Sequence, residues 1–206
     1  MSDPAGQPAQ LGSAAAPPTT ALVVVDMQVD FGRPDGALFV AGGDAVLPVV
    51  RDWIARATEA DWPVFYTQDW HPPKTPHFVT DGGLWPVHCV RDTAGAALLP
   101  GLPVTGPVVR KGADGRDGYS GFSVRDPRSG AVDATELGSL VAATGARELV
   151  VVGLAGDWCV KETALDGRRL GYAVRVPLAA TAFVNLEPGA DETAVAQLRA
   201  AGVDIA

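Results

Sequence analysis

A three-layer α/β/α domain on a mostly parallel six-stranded sheet is the fold class that the sequence predicts. Short Val-rich runs alternate with amphipathic helical patterns, the order produced when parallel strands are joined by helices. Residues 22–25 and 149–152 are apolar at every position, as strands buried on both faces must be. No internal repeat interrupts this alternation.

Taken in order, Leu22-Val23-Val24-Val25 reads as the first strand and ends at Asp26. Val46, Val50, Trp53 and Ala57 then recur at i, i+4, i+7 and i+11, which predicts a helix over residues 44–60. Pro48 is expected near its first turn, where a missing N–H is tolerated. Strands follow at 63–66 and 108–110. Asp133 with Glu136 three residues on resembles a capping box. It would open a helix that buries Leu137, Leu140 and Val141 and stops at Gly145. Residues 149–152 form the fourth strand. A helix then starts near Trp158 and turns Val160, Thr163, Ala164 and Gly167 inward. A fifth strand at 173–176, a helix over 191–201 and a short strand at 203–205 complete the pattern. Helices on both faces of such a sheet make a doubly wound, Rossmann-like arrangement. Residues 1–18, rich in Ala, Gly, Pro and Gln, read as a disordered tail, leaving 19–206 as one domain.

Charge narrows the partners. A net charge of −8 repels phosphate backbones and anionic lipid, so neither nucleic acid nor a membrane surface is expected to bind. No apolar run reaches the roughly 18 residues of a membrane span, and the N-terminus lacks the basic and apolar regions of a secretory signal. Two cysteines, Cys89 and Cys159, cannot build a disulfide framework. A cytoplasmic location with free thiols is the expectation. Oligomeric state stays open, a homo-oligomer included.

The connections over 68–105 and 111–132 lack regular periodicity, and structureless stretches of that length in a compact domain are usually functional. Asp26, Asp69, Lys111 and Asp157 fall at or just past strand carboxyl ends, where a doubly wound sheet binds its ligand. Cys159 follows the Gly-Leu-Ala-Gly-Asp turn at an expected helix N-terminus, which favours a thiolate and offers free N–H groups; an inert buried thiol is the alternative. Asp26 is either a paired buried carboxylate or a simple turn cap. Lys111 is one of three lysines beside thirteen arginines, and a compact ammonium differs chemically from a guanidinium. Together these three make a nucleophile, a base and a cation. All three histidines, His71, His77 and His88, lie within eighteen residues. Asp69 and His71, two apart, share a face in extended chain. That donor set suits one divalent transition metal, zinc first, with iron or manganese as alternatives. Phe31, Trp70, Trp85, Tyr119 and Phe122 border these segments, as core or as walls for a flat substrate.

The segments Val25-Asp26-Met27-Gln28-Val29-Asp30-Phe31, Thr67-Gln68-Asp69-Trp70-His71-Pro72, Leu84-Trp85-Pro86-Val87-His88-Cys89-Val90, Lys111-Gly112 with Tyr119-Ser120-Gly121-Phe122, and Val152-Gly153-Leu154-Ala155-Gly156-Asp157-Trp158-Cys159-Val160 resemble the nicotinamidase/pyrazinamidase branch of the isochorismatase-like cysteine hydrolases. The resemblance covers about residues 20–206. It implies a small aromatic amide as substrate, hydrolysed through a cysteine thioester, with another cysteine amidase of carbamoyl or ureido compounds as the alternative. It implies Asp26, Lys111 and Cys159 as the catalytic triad, and Asp69, His71 and His88 as metal ligands, joined by His77 in some members. It also implies a cis peptide between Leu154 and Ala155, an oxyanion hole from the Ala155 and Cys159 amides, and substrate contacts from Phe31, Trp85, Tyr119 and Leu154. Val29 and Trp158 depart from the common pattern, and the loop over 114–118 is slightly longer than in some relatives.

Overall fold

The computed structural model describes residues 19–206, so the tail expected over residues 1–18 lies outside the described residues. The elements run β1 (Thr20–Val25), α1 (Val29–Gly32), α2 (Gly43–Glu59), β2 (Val64–Asp69), β3 (Val108–Lys111), β4 (Ser123–Arg125), β5 (Val132–Ala134), α3 (Leu137–Ala143), β6 (Glu148–Leu154), α4 (Cys159–Arg169), β7 (Ala173–Val176), β8 (Thr181–Ala182), α5 (Ala190–Ala200) and β9 (Asp204–Ile205). Short 3₁₀ turns lie at Val79–Asp81 and Leu178–Ala180.

The main sheet follows the order β3-β2-β1-β6-β7-β9, every pairing parallel, with β8 paired to the end of β6. Seven strands therefore replace the six expected, because β8 is two residues long and too short for any periodic signal. The chain builds outward from β1 to β3, then returns to β6 on the other side of β1. Strand order thus reverses between β1 and β6, where a crevice opens at the carboxyl ends.

Strand β1 shows how one run serves two cores. Leu22 and Val24 face a cluster with Val46, Val50, Ile54 and Ala57 of α2. Ala21, Val23 and Val25 face the opposite cluster with Leu137 and Val141 of α3, Val160 and Ala164 of α4, and Leu198 of α5. This is the period-2 alternation of a strand. Each fully buried Val or Leu contributes about 1.5–3 kcal/mol, so the unbroken apolar run is what holds the three layers together.

Three local expectations fail for identifiable reasons. Pro48 is the sixth residue of α2, beyond its first turn; it removes an N–H inside the helix, and the buried α2 face holds the helix together regardless. Asp133 does not cap α3: it lies in β5 and its carboxylate pairs with Arg116. Leu137 N–H instead donates to Thr135 Oγ1 at 3.2 Å. The connection expected to be irregular after Lys111 contains β4, which pairs with β5 as an antiparallel hairpin. Among the described residues no helix is long and apolar enough to cross a membrane.

Candidate active site

Four strand ends supply the polar groups. Asp26 follows β1, Asp69 ends β2, Lys111 ends β3, and Cys159 opens α4 after β6. Asp26 adopts φ 45°, a left-handed conformation that Asp tolerates better than most residues. Gly153 (φ 114°) is required beside it, since a Cβ there would collide with the Val25 carbonyl. Close approach of β6 to β1 brings the Cys159 turn over Asp26.

Lys111 Nζ stands at the centre. It lies 2.7 Å from Asp26 Oδ2, 3.7 Å from Cys159 Sγ, and hydrogen-bonds Asp69 Oδ1 and the Gly118 carbonyl. Asp26 Oδ1 accepts from Thr67 Oγ1 at 2.7 Å. Asp26 Oδ2 has a close charge contact with the lysine but no aligned hydrogen bond, so it keeps a lone pair for a proton from sulfur. Asp26, Asp69 and Cys159 also offer atoms within 4.8 Å of one another. Lys111 contacts all three, so that cluster is a charge network rather than a metal pocket.

Two carboxylates share one ammonium, and burial decides the split. Burial raises the Asp26 carboxyl to about 6, against the pull of Lys111 and with a further push from Asp69. Burial would also raise Asp69, yet Lys111, His71 and His88 together hold it well below the usual carboxylate range. Burial opposes the Lys111 charge, but Asp26, Asp69 and Cys159 outweigh it and keep the ammonium protonated. Burial pushes the Cys159 thiol well up, Lys111 opposing and both carboxylates adding to the push. Burial thus works against the thiolate that a helix N-terminus favours. The thiol needs a base beside it.

The three histidines converge on the other side of Asp69. His71, His77 and His88 are buried, each offering a ring nitrogen within 4.8 Å of the others. Asp69 Oδ2 lies 3.7 Å from His71 Nε2 and 4.0 Å from His88 Nε2. His71 has neither ring nitrogen hydrogen-bonded, a costly orphaning in a fully buried group. His88 Nδ1 bonds the Pro86 carbonyl at 2.7 Å, and His77 Nδ1 bonds Asp117 Oδ1 at 2.7 Å; both pairings leave Nε2 free. Burial pushes His88 down to about 4, Asp69 opposing, so its ring is neutral as a ligand must be. The cluster of His71, His77 and His88 fits a divalent metal, with Asp69 Oδ2 at its edge. His77 joins the cluster that the sequence expected.

Between the two halves lies a narrow, partly open cavity, concave and mostly apolar as small-molecule sites are. Phe31, Trp85, Tyr119, Leu154, Ala155 and Cys159 line it together with Asp69, His77 and His88. Trp85 Nε1 donates to Tyr119 OH at 2.9 Å. Trp158 packs edge-on to Trp85 with ring centroids 4.7 Å apart. The Leu154–Ala155 peptide is cis, and among the described residues no acceptor takes the backbone N–H of Ala155 or Cys159.

Sequence reading missed Thr67, Gln28 and Asp117. Gln28 accepts from the Asp69 N–H and donates to the Asp69 carbonyl, both at 2.8 Å, and so fixes the end of β2. A buried Gln amid apolar neighbours was the available signal for it; Thr67 and Asp117 carried none, since their partners lie about forty residues away.

An isochorismatase domain family model matches residues 20–206. The nicotinamidase/pyrazinamidase of Mycobacterium tuberculosis is 36% identical over 90% of this chain and 97% of its own length. The pyrazinamidase of Pyrococcus horikoshii, solved in complex with zinc, superposes with a TM-score of 0.82 at 33% identity, covering 92% of this chain and 99% of that one. An L. infantum protein solved in complex with nicotinate is 39% identical with a TM-score of 0.80, over 91% and 92% of the two chains.

Proposed function

Because the chain belongs to the isochorismatase family, we propose that it is an amide hydrolase converting nicotinamide and related pyridine or pyrazine carboxamides to the acid and ammonia. One observation carries this reading. Asp26, Lys111 and Cys159 meet beside an aromatic-walled cavity that Cys159 lines together with His77 and His88 of the histidine cluster. A flat ring with a carboxamide on one side and a ring nitrogen on the other has matching dimensions of chemistry.

Asp26 removes the thiol proton as Cys159 Sγ attacks the carboxamide carbon. Oxyanion charge is received by the free N–H groups of Ala155 and Cys159. Lys111 stays protonated throughout, holding Asp26 in place and offsetting negative charge at sulfur. Asp26 passes its proton to the amide nitrogen, ammonia leaves, and a thioester remains on Cys159. Asp26 then takes a proton from water, whose oxygen attacks the thioester, and returns it to sulfur as the acid departs. Asp69, His71, His77 and His88 would hold a divalent metal, zinc first with iron or manganese as alternatives, which supplies a Lewis-acid anchor for a ring nitrogen. Phe31, Trp85, Tyr119 and Leu154 clamp the ring and exclude water. Free catalytic sulfur suits a reducing compartment such as the cytoplasm.

Ammonia release over a panel of nicotinamide, pyrazinamide, benzamide and a ureido acid tests the proposal. Turnover should be fastest with the first two. Preferential turnover of the ureido acid would overturn it.

A further inference from the structure

We propose that Asp117 is the positioning residue for His77, fixing that ring so that Nε2 faces the metal pocket. The inference rests on the metal-site reading of the histidine cluster and deepens it. Asp117 Oδ1 and His77 Nδ1 are 2.7 Å apart, with side chains only 16% and 4% exposed. An ionised carboxylate only accepts hydrogen bonds, so Nδ1 carries the proton and Nε2 keeps its lone pair. Such outer partners set the tautomer and basicity of a metal-binding imidazole. The three histidines are not held alike. His88 donates to a neutral carbonyl, His71 has no partner, and His77 has the carboxylate.

Asp117 is itself anchored from two directions. Its N–H donates to the Arg125 carbonyl and its carbonyl accepts from the Arg125 N–H, both at 2.8 Å, which ties it to β4 of the hairpin. Thr75 Oγ1 donates to the Gly115 carbonyl at 2.7 Å and accepts from the His77 N–H at 3.2 Å. The loop before Asp117 and the segment carrying His77 are thereby held in register. The next two residues continue the function. The Gly118 carbonyl receives Lys111 Nζ, and Tyr119 OH receives Trp85 Nε1. Three consecutive residues therefore support the histidine cluster, the lysine and the pocket wall. This gives the β4–β5 hairpin, otherwise remote from the chemistry, a reason to exist.

The test is zinc affinity of the full-length chain, stripped by chelator and titrated with Zn²⁺ against a chromophoric competitor. Asp117→Ala should weaken zinc binding by about 10–100-fold. Asp117→Asn should restore part of it, because the amide oxygen still accepts from Nδ1–H. In a His77→Ala background, Asp117→Ala should cost nothing further, since its effect passes through the missing ring. Should Asp117→Ala fail to fold, the Asp117→Asn and His77→Ala cycle carries the same test. Unchanged zinc affinity in the folded Asp117 variants overturns this proposal alone, as does a full additional loss in the double variant. A wild-type chain that binds none of Zn²⁺, Fe²⁺ and Mn²⁺ overturns the metal site and this inference with it.

Discussion

Lys111 Nζ lies 2.7 Å from Asp26 Oδ2 with both side chains fully buried. The same ammonium serves Asp69, so two carboxylates and one cation are buried together beside the cavity. A buried surplus of negative charge is relieved by protonation. Asp69, with two histidines as well as the lysine beside it, keeps its charge. Asp26 is the group that takes the proton, titrating at about 6 through burial, the pull of Lys111 and the push of Asp69. A carboxylate poised near neutrality is what a base must be to accept a proton and give it back.

The pH dependence follows with a definite sign. Asp26 acts as a base only when ionised, so kcat/KM should fall about tenfold per unit below pH 6 and level off above it. Thr67 lowers the Asp26 value through its hydrogen bond. Thr67→Val should therefore move the acid limb to higher pH while leaving the plateau nearly intact. A limb that stays in place would remove Asp26 as its origin.

Cys159→Ala should abolish ammonia release in a folded protein. Mass spectrometry with substrate should find an acyl adduct on Cys159 and none on Cys89, which is fully buried away from the cavity lining. Asp26→Asn and Lys111→Met should each lose about 10²–10⁴-fold in turnover. Lys111→Met should also lower the melting temperature, because it strands two buried carboxylates.

Chelation should cripple turnover of pyridine and pyrazine carboxamides without unfolding the chain, and benzamide should be poor in either state. Gly112→Ala offers a subtler route to the same loss. Gly112 has φ 73°, and a Cβ there would lie 2.7 Å from His71 Cε1, pushing the ring out of the cluster. Metal content by elemental analysis beside turnover checks both. Full activity in a metal-free preparation would defeat the anchoring role.

Trp158 lines the cavity and also an adjoining open groove. Its indole is part of the wall between them. Trp158→Ala should raise relative kcat/KM for nicotinamides carrying a bulky ring substituent while lowering it for nicotinamide itself. Equal losses on both substrates would mean that Trp158 only supports packing.

Much of this site is legible in the chain itself because its signals are local. An all-apolar run such as Leu22-Val23-Val24-Val25 has one stable use, a strand buried on both faces, and its period-2 division between two cores follows from the pleat. Clustering of His71, His77 and His88 around Asp69 is likewise a matter of composition within one loop. Tertiary structure decided what depends on distant partners. Asp133 and Glu136 had the spacing of a cap, but Arg116 and the β4–β5 hairpin claimed Asp133. Cys159 has the position of an activated thiol, and only the fold adds the burial that pushes it up, with Lys111 opposing and two carboxylates adding to the push. Asp117 gave no sign of its role until the hairpin set it against His77. Local propensity and periodicity are written in neighbouring residues, whereas protonation and ring orientation depend on charges that only folding brings within a few ångströms.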